Sequence, residues 1–201
     1  MTIQTENALD RFILAAREWF ATEDDPERRW EGLKPLLAEL IADPEIIEGS
    51  NRWPECVVTD RAENLLFYED PDYGFAINGL TKQASSRSMT GGIHDHAHIY
   101  TLYGVLDGHE TIERYERIDD NAKPDYAEIR ETTQFHAGPG DIDLVRPYEI
   151  HVERNYNERS VAIIIRSEKS GGFLQGRYNK ETGQYWQGYG PRQTPTKILP
   201  E

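Results

Sequence analysis

The chain has 201 residues, a mean hydropathy of -0.73 and a formal net charge of -14. This length suits one globular domain, and since no apolar run approaches the roughly 20 residues of a bilayer crossing, we expect no transmembrane helix. The acidic excess would repel phosphate backbones, so we expect no nucleic-acid partner.

The first residues, MTIQTENALDRF, lack the basic start, the apolar stretch and the small-residue cleavage site of a secretory signal. Cys56 is the single cysteine, so no disulfide can form within the chain, which agrees with a reducing compartment. We therefore expect a cytoplasmic protein. The pattern gives no prediction of the oligomeric state.

Helical periodicity is confined to residues 1–50. Apolar residues recur at three- and four-residue steps from Ala8 to Phe20, which predicts an amphipathic helix. Asp25 followed by Pro26 has the form of an N-cap and a first helical position, so a second helix should begin there. Pro35 is expected to break or restart that helix. Two or three short helices are thus predicted in this N-terminal segment.

After Asn51 the chain changes to short β-branched and aromatic segments bounded by Gly, Pro, Asn and Asp. About ten such strands at this spacing are typical of a closed barrel or a sandwich. We predict a barrel over residues 51–170 and, over residues 171–201, a tail that packs on it, all within a single domain. The predicted strands are ECVVTD, ENLLFYE, YGFAING, GGIHDHAH, IYTLYGVLDG, ETIERYERI, YAEIRETTQFHA, GDIDLV, IHVERNY and SVAIIIRS.

Three histidines form a candidate metal site. His94 and His96 flank Asp95 within a predicted strand. Because side chains two residues apart point to the same face of a strand, both imidazoles can converge on one ion. His151 follows much later, in VRPYEIHVERN, where a proline-containing turn leads into another strand.

Both histidine segments adjoin turns that contain glycine or proline, as tight strand connections require. In this order they resemble the two motifs of the cupin family. The resemblance implies a mainly β protein with the cupin double-stranded β-helix (jelly-roll barrel) after a short N-terminal helical segment, and one metal ion held by the three histidines. The matching residues are His94, Asp95, His96, Gly104 and Gly108, then Gly140, Asp141, Pro147, His151 and Asn155.

Many cupins add a glutamate shortly after the second histidine, whereas this chain continues with Ala97-His98-Ile99-Tyr100-Thr101. The predicted ligand set is therefore three neutral imidazoles, which leaves positions open for a substrate atom and dioxygen. The resemblance implies iron(II), although imidazole ligands also accept Zn, Ni or Cu.

The HDH motif, PLLAEL in the helical segment and QGYGP near the end resemble the thiol dioxygenase branch of the cupins. The likeness is strongest to the bacterial 3-mercaptopropionate dioxygenase-like proteins. It implies an oxidoreductase that binds a small thiol-bearing carboxylate and dioxygen at iron(II), and that adds both oxygen atoms to sulfur to give a sulfinate.

The strand SVAIIIRS departs from that branch. Its Ser-His-Tyr hydrogen-bonded set is matched here by Ile163, Ile165 and Ser167, so the catalytic tyrosine is missing. Thr101 lies near the position of the cysteine that crosslinks to this tyrosine in animal cysteine dioxygenases. Glu63 stands in place of an Arg or Gln that helps to bind substrate. We therefore expect a substrate other than cysteine or 3-mercaptopropionate itself.

An anionic substrate needs a buried arginine, because a carboxylate pairs best with a planar fork of donors. Arg177 lies near the place of the carboxylate-binding arginine of the bacterial branch, and Arg87 and Arg166 are further candidates. His98 and Tyr100 would orient substrate or donate a proton if they share the inward face with the ligands, but the hairpin bend could also turn them outward.

Two other classes of function stay open on the sequence. One is a metal-dependent dioxygenase that cleaves a carbon-carbon bond of a diketone-like substrate, which also suits three histidines. The other is a non-redox lyase or isomerase, or a metal-dependent binding module.

Overall fold

The structure is a computed structural model that describes residues 7–56, 62–83, 89–90, 92–155 and 158–200. Three helices come first: α1 (Ala8–Thr22), α2 (Pro26–Ile41) and α3 (Pro44–Ser50). Each begins at a side-chain cap, because Asn7, Asp25 and Asp43 accept backbone N–H groups of the first turn. None of the described helices combines the length and the apolar character that a membrane crossing requires.

The predicted break at Pro35 is wrong, because α2 continues through it. Pro35 is exposed, so the carbonyl that loses its intrahelical partner can bond to water. Leu33 and Leu37 are fully buried on the opposite side of the helix, where they pack in the same cluster as Leu102 and Ile163 of the barrel. Tertiary packing therefore holds the turns on both sides of the proline.

The described strands form two sheets. The first has the order β13-β1-β2-β10-β5-β8, and the second has the order β12-β11-β4-β9-β6-β7, with β3 also paired to β9. The strands are β1 (Glu63–Glu69), β2 (Ala76–Lys82), β3 (Met89–Thr90), β4 (Ile93–His94), β5 (Thr101–Asp107), β6 (Glu110–Arg117), β7 (Ile129–Ala137), β8 (Ile142–Val145), β9 (Ile150–Asn155), β10 (Ser160–Arg166), β11 (Leu174–Tyr178), β12 (Tyr185–Tyr189) and β13 (Thr194–Pro195).

The central strands have jelly-roll topology. Without the flanking β1, β11, β12 and β13, the two sheets have the orders β2-β10-β5-β8 and β4-β9-β6-β7, with every neighbouring pair antiparallel. Along the chain, β2 lies in the first sheet, β4 in the second, β5 in the first, β6 and β7 in the second, and β8, β9 and β10 alternate again. Two interlocked Greek keys of this kind define a jelly roll. The predicted fold class is confirmed.

The first sheet has a buried face on each side. On β10, Ile163 and Ile165 pack with the helices, whereas Ile164 packs with Tyr103 of β5 and Ile112 of β6 between the two sheets. Successive side chains of a strand alternate in this way. Even-numbered residues of β10 therefore face the barrel interior.

The C-terminal residues do more than cover the barrel. β11 and β12 form a hairpin that extends the second sheet beside β4, and β13 pairs in parallel with β1. The predicted tail thus adds strands to both sheets. The predicted strand ECVVTD falls mostly on residues 57–61, outside the described residues.

Candidate metal centre

The second sheet brings the three predicted metal ligands together. His94 on β4 lies directly opposite His151 on β9, and His96 follows His94 by two residues. The ring centroids are 4.5, 4.7 and 5.0 Å apart, and one nitrogen of each ring lies within 4.8 Å of the other two. His96 and His151 are buried, and His94 is partly buried.

Backbone carbonyls fix the tautomers of two rings. Nδ1 of His94 donates to the carbonyl of Gly92 at 3.0 Å, and Nδ1 of His151 donates to the carbonyl of Glu149 at 3.0 Å. Each ring therefore keeps a lone pair on Nε2, and a carbonyl partner of this kind is typical of metal-bound histidines.

The nitrogen spacing suits a cation. Nε2 of His94 lies 3.1 Å from Nε2 of His96. Two nitrogens that are each about 2.1 Å from one ion, at angles of about 90–109°, lie about 3.0–3.4 Å apart. Nε2 of His151 is buried without a hydrogen-bond partner. The residues present thus fit a metal ion bound by three imidazoles.

The pKa values of His94 and His96 agree with this fit, and that of His151 does not. Burial, with a contribution from the charge of His151, lowers the pKa of His94 to about 3 and the pKa of His96 well below its usual value. Burial also disfavours a charged His151, but Glu153 more than offsets it, so the pKa of His151 is raised. His94 and His96 are neutral, as metal ligands must be.

A carboxylate that the sequence interpretation missed adjoins the histidines. Oε1 of Glu153 lies 3.3 Å from Nε2 of His151, close enough for an ion pair but without the alignment of a hydrogen bond. Glu153 follows His151 by two residues on β9, so it shares the inward face, just as His96 shares it with His94. The same alternation would have predicted it.

His94 and His96 line a cavity of about 430 Å³ between the two sheets. Trp186 and Tyr189 from the C-terminal hairpin stand at its exposed edge. Glu153 is the one carboxylate among the described residues that line it. The lining consists of Ala62, Asn64, Leu80, Lys82, Gly92, Ile93, His94, His96, Thr101, Tyr103, Glu153, Ile164, Arg166, Gln175, Arg177, Trp186, Tyr189 and Pro191.

Two of the three predicted substrate-binding arginines line this cavity. Arg177 on β11 lies opposite His94 in the strand register, and its Nη2 donates to Oε1 of Gln175 at 3.0 Å. Arg166 projects from the first sheet and is 5% exposed. Burial lowers the pKa of Arg166 to about 10, so its guanidinium is still charged at neutral pH. Arg87 lies outside the described residues.

Of the other predicted substrate-binding residues, Thr101 lines the cavity and Glu63 does not. The neighbouring Asn64 faces the cavity, so strand alternation turns Glu63 outward, where it accepts a hydrogen bond from Thr194 at 3.2 Å. The assignment of Glu63 to the site is therefore corrected.

His98 and Tyr100 take the outward of the two orientations that the sequence left open, so their predicted catalytic role is corrected. Nε2 of His98 is 3.0 Å from Oε2 of the exposed Glu168, and the ring of Tyr100 stacks on Trp30 of α2 with centroids 5.9 Å apart. The cause is a turn at Ala97, whose φ is 52°. It reverses the alternation, so even-numbered residues face inward before it and odd-numbered residues after it.

The sequence matches Ile163, Ile165 and Ser167 to the Ser-His-Tyr set of the thiol dioxygenases, and the structure corrects their expected place beside the site. Ile163 and Ile165 face the helices, and Oγ of Ser167 accepts the backbone N–H of Tyr100 at 3.1 Å. The cavity-facing residues of this strand are Ile164 and Arg166.

Asp95 joins the first histidine motif to the C-terminal hairpin. Its Oδ1 accepts the backbone N–H groups of Ala97 at 2.8 Å and Gly176 at 3.0 Å, and its Oδ2 accepts the hydroxyl of Tyr178 at 2.7 Å. A Cβ at position 176 would lie 2.2 Å from Oδ2, so only glycine allows this approach. Asp95 thereby holds His94 and His96 in place beside the strand that contains Arg177.

A buried polar cluster, also missed from sequence, adjoins the cavity, which its members Lys82 and Tyr103 line. Nζ of Lys82 lies 2.9 Å from Oε2 of Glu110, which also accepts the hydroxyl of Tyr103 at 2.9 Å. The hydroxyl of Ser160 donates to Oε1 of the same glutamate at 2.6 Å. Every member is less than 10% exposed, so Glu110 neutralises the Lys82 charge inside the barrel.

No family model and no curated protein matches this chain. Among solved structures, it is similar to a cupin domain from Schizosaccharomyces pombe (12% identity, 54% of this chain, 65% of that chain, TM-score 0.40). It is also similar to an oxalate oxidase in complex with glycolate (9% identity, 60% of this chain, 57% of that chain, TM-score 0.44). A third similar structure is KdgF from Halomonas sp. (14% identity, 59% of this chain, 89% of that chain, TM-score 0.44). The first two alignments span less than two thirds of those chains. The jelly-roll assignment rests on the strand order itself.

Proposed function

We propose that this chain is a cupin enzyme that uses a mononuclear iron(II) centre and dioxygen to oxidise a small thiol-bearing carboxylate to a sulfinate. The observation that supports it is the meeting of three imidazoles, two of which, His94 and His96, line a cavity that Arg166 and Arg177 also line. Three protein ligands leave coordination positions for other groups. Two guanidinium groups favour an anion.

The overall reaction adds one dioxygen molecule to one thiol, RSH + O₂ → RSO₂H, so its atoms balance without a further reductant. Iron(II) at this position would supply the one-electron chemistry that lets dioxygen react with a thiol. A guanidinium group at this cavity would hold the carboxylate of the substrate. Glu153 would accept the thiol proton at Oε1, since His98 and Tyr100 lie outside the cavity.

The decisive test combines metal analysis of freshly purified protein with turnover. We expect about one iron per chain, anaerobic binding of thiol-bearing carboxylates, and consumption of one dioxygen per sulfinate formed. The substrate panel should include enolisable diketones, because cleavage products from these would favour carbon-carbon bond cleavage instead. Absence of dioxygen consumption with every iron-loaded preparation and both substrate types would contradict the proposal.

A non-redox lyase or isomerase is the second candidate, and Glu153 favours it. A carboxylate beside a metal site can remove a proton next to a polarised carbonyl, and this chemistry needs no dioxygen. Zinc-loaded protein in deuterated water, without dioxygen, would then exchange the α-protons of a carboxylate substrate. The dioxygenase proposal predicts no such exchange.

A further inference from the structure

Thr101 and Arg166 form a pair across two neighbouring strands of the first sheet. They are direct partners in the β5–β10 register, and both line the cavity. Directly opposed side chains on one face of an antiparallel pair have Cβ atoms about 4.5–5.5 Å apart. The hydroxyl and the guanidinium therefore reach the same small volume of the cavity.

Both side chains have polar atoms without partners. Oγ1 of Thr101, which is 1% exposed, and Nε of Arg166, which is 5% exposed, make no hydrogen bond. Such unsatisfied buried groups are uncommon in native proteins, and each needs an explanation. A ligand that accepts both hydrogen bonds would provide one.

The guanidinium of Arg166 is fixed in position but not neutralised. Its Nη1 donates to Oδ1 of Asn78 at 2.9 Å, and the amide of Asn78 in turn donates to the carbonyl of Leu65 at 3.0 Å. Among the described residues, no carboxylate lies within ion-pair distance of Arg166. Glu153 acts on this guanidinium only through its charge, and a buried cation without a direct ion pair is costly, so this site favours an anion from outside.

Arg177 differs in its exposure. It is partly exposed, so water can satisfy the donors that do not bond to Gln175, whereas Nε of Arg166 is buried without a partner. Nearby charges do not separate the two arginines, because Asp95 opposes the effect of burial on the pKa of Arg177 and Glu153 opposes it on the pKa of Arg166. The arginine with a buried, unpaired donor is thus the one on β10.

We propose that Arg166 and Thr101 bind the carboxylate of the substrate, through Nε–H of the guanidinium and the threonine hydroxyl. This inference rests on the proposed function only in taking the cavity as the active site. The subsite selects a planar oxyanion, because a fork of donors with an added hydroxyl matches carboxylate geometry. Arg177 then contributes a general positive potential at the cavity entrance.

The test uses propionate, which has a carboxylate but no thiol, and its uncharged analogue propionamide. Binding to the zinc-loaded protein and to the metal-free protein is measured by calorimetry, so that direct contact with the metal is separated from the subsite. We expect saturable propionate binding to both forms and weaker propionamide binding. Absence of saturable propionate binding to the wild-type protein would overturn the proposal.

The variants locate the site. Arg166→Met should weaken propionate binding about 10- to 100-fold, and Thr101→Val about 3- to 10-fold, as expected for a charged and a neutral hydrogen bond. Thr101→Ser should restore wild-type affinity, which a purely structural role of the threonine methyl would not allow. Circular dichroism confirms folding. A larger loss in Arg177→Met than in Arg166→Met would place the carboxylate at the entrance instead.

Turnover separates this inference from the proposed function. Propionate binding that depends on Arg166, together with no dioxygen consumption by iron-loaded protein, would leave the subsite intact and remove the dioxygenase. Thiol oxidation at wild-type KM in Arg166→Met would leave the dioxygenase intact and remove the carboxylate subsite.

Discussion

Replacement of His151 by alanine tests whether the three imidazoles act as one metal site. Structural zinc sites with four ligands release about 10–16 kcal/mol on binding, which is about 2.5–4 kcal/mol for each ligand. Loss of one imidazole should therefore weaken metal binding by about 100- to 1,000-fold. The barrel should stay folded, because the lost ring makes one hydrogen bond, to the carbonyl of Glu149, and one ion pair, with Glu153.

The assay is metal content by mass spectrometry after anaerobic purification, followed by titration with a competing chelator. Metal should also raise the melting temperature of the wild-type protein but not of His151→Ala, because only a bound ligand stabilises the folded state. His98→Ala is the matched control, since His98 follows His96 by two residues but faces outward. A His151→Ala protein with wild-type metal content and chelator resistance would refute the ligand assignment.

The features that were predictable from the sequence depend on local periodicity. A strand places residues two apart on one face, so His94-Asp95-His96 already implied two imidazoles side by side. The N-cap at Asp25 and the periodic apolar residues from Ala8 were likewise predictable, because each depends on the residues of one helix alone. Glu153 obeys the same rule relative to His151, so the sequence contained the signal for it.

The orientation of His98 and Tyr100 was not predictable, because it depends on one unusual backbone conformation. Alanine rarely adopts a positive φ, and nothing in the sequence marks Ala97 as a residue that does. The backbone N–H of Tyr148, from a distant turn, bonds to the carbonyl of Ala97 at 2.7 Å and stabilises the bend. Extrapolation of the alternation beyond His96 therefore fails.

The side of β10 that faces the cavity was undetermined for a different reason. The first sheet has helices on one face and the barrel interior on the other, so both faces of SVAIIIR are apolar and the alternation disappears. Pairing of Arg166 with Thr101 settles the orientation, and that pairing joins residues distant in sequence. The pairing of β11 with β4 is equally non-local, which is why the sequence predicts a tail where the structure has a hairpin.

Three further outcomes test the surroundings of the site. Asp95→Asn should lose the acceptor for the hydroxyl of Tyr178 and lower the melting temperature by roughly 2–12 °C in calorimetry, and an unchanged value would contradict a supporting role. Lys82→Met should destabilise the protein by about 3–5 kcal/mol in urea unfolding because Glu110 is left buried and charged, and adding Glu110→Gln should recover most of that loss. Finally, propionate affinity should depend on pH through Arg166. Burial lowers the pKa of this guanidinium to about 10, so the cation is present at neutral pH and disappears as the pH rises through that value. Affinity should therefore stay constant from neutral pH to about pH 9 and fall above it, with circular dichroism confirming the fold at each pH, whereas constant affinity to pH 11 would contradict the lowered pKa of Arg166.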